Sequence, residues 1–158
     1  MIRRVKHEDI DRVKYQNFIK RSFNYRIYAE DWYLDLLTDK QWDCLVLEDY
    51  EVVMPLPYVK KLGVKIIVQP VFVQQLGVFG NISISETVLN EFSAKFESLI
   101  VGSYQFNSDN DIKESDSIFM KDNYLLNLNI SYQGLYSKYR KDRKKDIRRI
   151  EALEPIIS

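Results

Sequence analysis

Histidine and cysteine occur once each in this chain, at His7 and Cys44. One histidine at a helix entry, next to Glu8 and Asp9, does not supply a histidine-built metal site, a Ser-His-Asp triad or a Cys-His pair. His7 therefore reads as a solvated helix-start residue. One cysteine excludes an internal disulfide, and in the run Trp-Asp-Cys-Leu-Val-Leu it reads as a buried strand thiol in a reducing compartment. An excess of charge of one sign is also missing. The 23 Lys and Arg balance 23 Asp and Glu, so the whole protein offers no long-range field to draw in nucleic acid or an anionic membrane. No stretch approaches the about 20 apolar residues needed to span a bilayer, and the N-terminus lacks a basic region followed by an apolar run. The expected location is the cytoplasm, with no membrane partner.

What is present suits one globular domain. The 158 residues are 46% hydrophobic and 29% charged, enough to bury roughly two thirds of the unfolded surface. The 11 Tyr and 8 Phe are numerous for this length, and their rings need cover. A short strand fits residues 2–5. A helix follows, its acidic start at Glu8-Asp9 and basic end at Lys20-Arg21 matching the helix dipole. A second helix fits 29–38, where Trp32, Tyr33, Leu36 and Leu37 share a face. The period then changes to short apolar runs at 42–47, 51–58, 64–69 and 74–79, separated by turn formers, which predicts an antiparallel meander. Glu48 to Glu51 and Lys60 to Gly63 supply two of the turns. Pro55 and Pro57, two apart, turn their missing N–H groups to one side of the strand, which must be an edge or a bulge there. Helical spacing returns over 85–99 through Val88, Leu89, Phe92, Phe96 and Leu99, with Ser83 and Glu86 spaced as a capping box. Strands are expected at 101–107 and 123–130 around the polar loop 107–117, and a basic helix at 132–151. These elements predict a mixed α+β domain with a mainly antiparallel central sheet flanked by helices.

Several stretches carry a resemblance. Ile27 to Asp35, Val53-Met54-Pro55-Leu56-Pro57 and Gln69 to Gly77 look like the opening half of GNAT-like proteins of Bacteroidetes, which are related to the Fem family of peptidoglycan aminoacyltransferases. The run Tyr136 to Ile150 is similar to the basic helix of Fem-like proteins, with Arg140, Asp146 and Ile150 departing from its usual residues. The resemblance implies a GNAT-like first module over 1–131 and, over 132–158, a basic amphipathic helix leading toward a second module that this sequence does not contain. It implies the substrate-shaping half of a tandem acyltransferase that moves an acetyl or aminoacyl group onto an amine. No cofactor is expected in this module, the donor of the complete protein being acetyl-CoA or aminoacyl-tRNA. A non-catalytic binding or assembly module of the same fold is the alternative. Expected partners are the second module or another copy of the chain, and a small-molecule or peptide amine as acceptor. Nucleic acid ranks last, because acidic residues interleave the basic ones.

Candidate site residues follow from both lines of reasoning. GNAT enzymes hold a pyrophosphate on backbone N–H groups of a glycine-bearing loop. The run Gln74 to Gly80 resembles that loop only at Gly77, because its spacing departs and no helix follows directly; a strand with a glycine bulge is the other reading. Tyr28, Trp32, Tyr33 and Tyr58 are candidates for an acceptor groove, or else core. Gln69, Gln74 and Gln75 are candidates to bind an amide or peptide, or else to pair with nearby backbone. Arg143 lies in an apolar helical stripe of Leu135, Tyr136, Tyr139, Ile147, Ile150 and Leu153, where it must meet an acid, hold an anion or snorkel out. The carboxylates Glu30, Asp31, Asp35, Glu48, Asp49 and Glu51 read as solvated, so no general base stands out. Amine attack on a thioester needs mainly proximity and a held oxyanion, so this leaves the catalytic residues unassigned.

Overall fold

A computed structural model describes residues 1–153, and residues 154–158 lie outside the described residues. The chain forms two compact units, Met1–Met120 and Lys121–Ser158. The first is a mixed α+β unit built on a five-stranded sheet whose strand pairings are all antiparallel.

Strand β1 (Ile2–Val5) pairs with β2 (Trp42–Leu47), and β2 with the first six residues of β3 (Val52–Lys61). Between β1 and β2 come α1 (Arg12–Arg21) and α2 (Asp31–Thr38). Asp11 caps α1 by accepting from the Lys14 N–H, and Lys20 and Arg21 lie in the last turn, where cations suit the dipole. The β2–β3 turn places Glu48 and Tyr50 at positive φ, and the turn into β4 (Val64–Ile67) does the same with Leu62 and Gly63. Two successive positive φ values make the second a tight hairpin turn matched to strand twist.

The fourth strand of the expected meander is different. Only Phe79–Gly80 (β5) is strand, and it pairs with Val52 and Val53 of β3, not with β4. The long β3 is thus flanked on one side by β5 at its start and by β4 from Tyr58 onward. Pro55 and Pro57 fall in the interval between them, as two missing N–H groups on one side require.

Period-2 alternation decides which helix covers which face. Trp42, Cys44, Val46 and Val53 pack with Tyr15, Phe18 and Ile19 of α1 and Leu34 of α2. Leu45, Met54, Leu56 and Ile67 pack on the opposite side with Leu89, Phe92 and Phe96 of α3 (Glu86–Glu97). Val88 and Leu99 sit partly buried at the margin of that cluster, completing the expected stripe. The α3 cap is Ser85, whose side chain accepts from the Val88 N–H; the expected capping pair of Ser83 and Glu86 sits two residues too early.

Residues 101–107 form no strand, and their backbone makes isolated parallel bridges, Val101 with Ile67 of β4 and Phe106 with Leu76. In the second unit, 123–130 form no strand, and the expected long helix is two: α4 (Tyr132–Lys138) and α5 (Lys141–Glu151). Tyr139 and Arg140 are both extended at the break. The stripe through Leu135, Tyr136, Tyr139, Ile147, Ile150 and Leu153 is therefore not one continuous face.

Candidate functional site

The run that bears on phosphate binding, Leu76 to Gly80, is wrapped by the asparagines of 107–110. Asn110 presents its Oδ1 to the Val78 N–H and its amide to the Val78 carbonyl, both at 2.8 Å. Its side chain thereby takes the place of a neighbouring strand. Asn107 donates to the Leu76 carbonyl, and Asn24 joins the Val78 carbonyl and the Gly80 N–H. The Leu76 N–H goes to the Gln105 carbonyl, and the Gly77 N–H to the Tyr104 hydroxyl at 2.9 Å. That hydroxyl in turn donates to the Pro55 carbonyl at 2.7 Å, closing the interval in β3 that the prolines leave open. Burial drives the Tyr104 ionisation well above the usual tyrosine range, against the opposing Gly77 N–H. Gly77 needs to be glycine: its φ is +103°, and a Cβ would come within 2.1 Å of Asn110 Oδ1. The N–H groups of Leu76, Gly77, Val78 and Gly80 are all committed within the chain.

Of the expected acceptor residues, all but the buried Tyr58 gather where α2 meets the loop 70–75. Tyr33 stands edge-on to both Tyr28 and Trp32, at ring separations of 5.8 and 5.4 Å, a stable aromatic arrangement. The Tyr33 hydroxyl donates to the Phe72 carbonyl at 3.0 Å. Phe72 has a φ of 66° and is 79% exposed, and Trp32 is 53% exposed. A bulky residue in the left-handed region is a strained placement that local contacts must hold. Gln69 spends its amide on backbone, donating to the Val73 carbonyl and accepting from the Gln105 N–H. Gln75 accepts from Arg26 Nε, whose guanidinium also reaches Ser108 and Asp109. Gln74 is exposed beside them. Trp32, Phe72 and Gln74 are thus presented to solvent, while Tyr33, Gln69 and Gln75 hold the loop in place.

A charged cluster lies on the other edge of α2, and it corrects the reading of His7, Asp31 and Asp35 as solvated. His7 Nε2 lies 2.8 Å from Asp35 Oδ1 and touches the Arg12 guanidinium. Its ring meets the buried Trp42 edge-on at 5.5 Å. The Trp42 indole N–H donates to the same Asp35 oxygen at 2.7 Å, and Arg12 approaches Asp35 at 3.3 Å and Asp31 at 3.4 Å. Gln16 donates to both Asp31 oxygens. Burial opposes ionisation of Asp35, but the Trp42 and His7 hydrogen bonds and the Arg12 charge outweigh it, so its pKa lies below the usual value. The signal was available in the spacing: Arg12 and Gln16 on α1, and Asp31 and Asp35 on α2, are each four apart and so form complementary edges. On the opposite face of the sheet, the buried Asp43 is held by Arg4 at 2.7 Å and Lys65 at 2.8 Å. Burial pushes the Cys44 thiol far above its usual range, so it is a packed side chain, not a nucleophile.

In the second unit Arg143 is 74% exposed and lies 3.8 Å from Asp146. A cleft of about 750 Å³ on α5 is lined by Lys141, Lys144, Lys145, Arg148 and Arg149 together with Asp142 and Ala152. Lys144 bonds the Ser137 carbonyl at the end of α4, and Arg148 reaches the Tyr136 hydroxyl. No helix of the described residues is long and apolar enough to cross a membrane. Comparisons with family models, with curated proteins and with solved structures return no match to this chain.

Proposed function

We propose that this chain is a binding module of GNAT-like architecture that serves as the substrate-shaping half of a Fem-like acyltransferase, presenting an amine acceptor while the acyl donor is held elsewhere. The observation that carries this reading is the inward commitment of the Leu76, Gly77, Val78 and Gly80 N–H groups. Donors already bonded to buried side chains and carbonyls cannot turn to a pyrophosphate without breaking those bonds. The Trp32–Tyr33–Tyr28 cluster and strained Phe72 offer the acceptor a fixed aromatic surface instead.

Exposed apolar residues favour the assembly side of the same proposal. In the second unit Tyr124, Leu125, Leu126 and Leu128 are all strongly exposed within five residues. Such a concentration suits a surface that another protein module covers. Calorimetric titration of the chain with acetyl-CoA tests the proposal: no saturable heat is expected, and micromolar affinity would overturn it. Gly77→Val is not a usable control, because its side chain would collide with Asn110 whether or not a ligand binds there.

A further inference from the structure

Among the described residues the buried carboxylates are Glu30, Asp31 and Asp43. Two of them are matched by cations of the chain. Asp31 faces Arg12 and also accepts from Gln16 and the Trp32 N–H. Asp43 faces Arg4 and Lys65 and accepts weakly from the His7 N–H. Glu30, only 5% exposed, is treated differently. Its Oε1 accepts one hydrogen bond, from the Tyr25 hydroxyl at 3.1 Å. Its Oε2 is, among the described residues, the one buried side-chain oxygen with no hydrogen-bond partner. The nearest guanidinium in sequence, Arg26, is committed to Gln75, Asp109, Ser108 and two backbone carbonyls.

A carboxylate withdrawn from water without a cation is costly, and chains keep one where something completes it. We propose that Glu30 anchors a binding site for a primary ammonium group supplied from outside the chain. The surroundings select that chemistry. A calcium- or magnesium-type ion takes six or more oxygens, whereas among the described residues no group of three or more His, Cys, Asp and Glu is gathered to hold a metal. A single carboxylate instead matches the few N–H donors of an ammonium. Glu30 lies between Tyr28 and Trp32 in sequence, and its carbonyl accepts from the Tyr33 and Leu34 N–H groups. Tyr25 is itself exposed, and its hydroxyl, bonded to Oε1, must move aside for a ligand to reach both oxygens. This inference rests on the amine-acceptor part of the proposed function and locates the amine.

The test follows the Glu side-chain carboxyl carbons of the full chain by NMR at fixed pH and ionic strength, on titration with n-propylammonium chloride. The Glu30 resonance, assigned by through-bond correlation to its backbone and absent in Glu30→Gln, should shift saturably. Tetramethylammonium, which has no N–H to donate, should require at least roughly tenfold more, about 1.4 kcal/mol weaker. Tyr25→Phe removes the hydroxyl on Oε1 without touching the carboxylate, so it should retain saturable binding. If Glu30→Gln does not fold, the contrast between the two ammonium ions in the wild-type and Tyr25→Phe chains still decides the matter. A Glu30 resonance that does not respond, or that responds equally to tetramethylammonium, potassium or guanidinium, would overturn the proposal. That failure leaves the acetyl-CoA result untouched, and acetyl-CoA binding would sink the module reading while leaving the ammonium titration standing.

Discussion

Residues 1–120 and 121–153 differ in what their apolar side chains do. Every strand and α-helix of the first unit sends a residue into one of two buried clusters. In the second, no described residue is buried. The contrast lies in spacing more than in composition. In β2, alternation sends Trp42, Cys44 and Val46 to one face and Leu45 to the other, and both faces meet helices. In α5, Ile147 and Ile150 are too few for the broad apolar stripe that anchors a helix to a core. Charge divides the same way. Residues 121–158 carry nine Lys and Arg against five Asp and Glu, leaving fourteen against eighteen in residues 1–120. A neutral total conceals an acidic unit and a basic one.

The largest expected effect lies in the first unit. Phe92→Ala removes a fully buried ring between the sheet and α3 and should cost about 3–5 kcal/mol. A denaturation midpoint like that of the wild type would erase the distinction between the two units.

A subtler probe is Asp35→Asn, which keeps an acceptor for the Trp42 indole but removes the charge facing Arg12. Because the folded pKa of Asp35 lies below its unfolded value, its contribution is present in full above the usual aspartate range, near about 3.9. It is lost as pH falls through the folded value. The stability gap between wild type and Asp35→Asn should therefore be open at pH 7 and narrow in acid. Urea midpoints across that range check it, and a gap constant with pH would make the cluster electrostatically inert.

The smallest effect is expected in the second unit. Arg143→Met alters an exposed side chain with one long contact to Asp146, and should change stability by no more than about 0.5 kcal/mol. A loss several times larger would mean that α5 depends on Arg143 in a way its exposure does not suggest.

Much of the architecture was legible in local signals. The 3.6-residue period of Leu89, Phe92 and Phe96, the short apolar run of 42–47, the turn at Leu62-Gly63 and the paired prolines each carry their own geometry. These features are properties of a few neighbouring residues, so the chain specifies them without reference to the rest. The candidate site was legible only in part. Trp32 and Gln74 are exposed, but Gln69 and Gln75 were equally readable as ligands or as loop anchors until their partners were placed. What tertiary structure alone decided depends on segments far apart in sequence. The Asn110 amide takes a strand's place beside Val78, the Tyr104 hydroxyl bridges Gly77 and Pro55, and His7 leaves solvent to meet Asp35 and Trp42. The same holds for the difference between Asp31, which finds its cation, and Glu30, which does not. A side chain's own type fixes how many hydrogen bonds it can make; only the packed chain determines which of them are met.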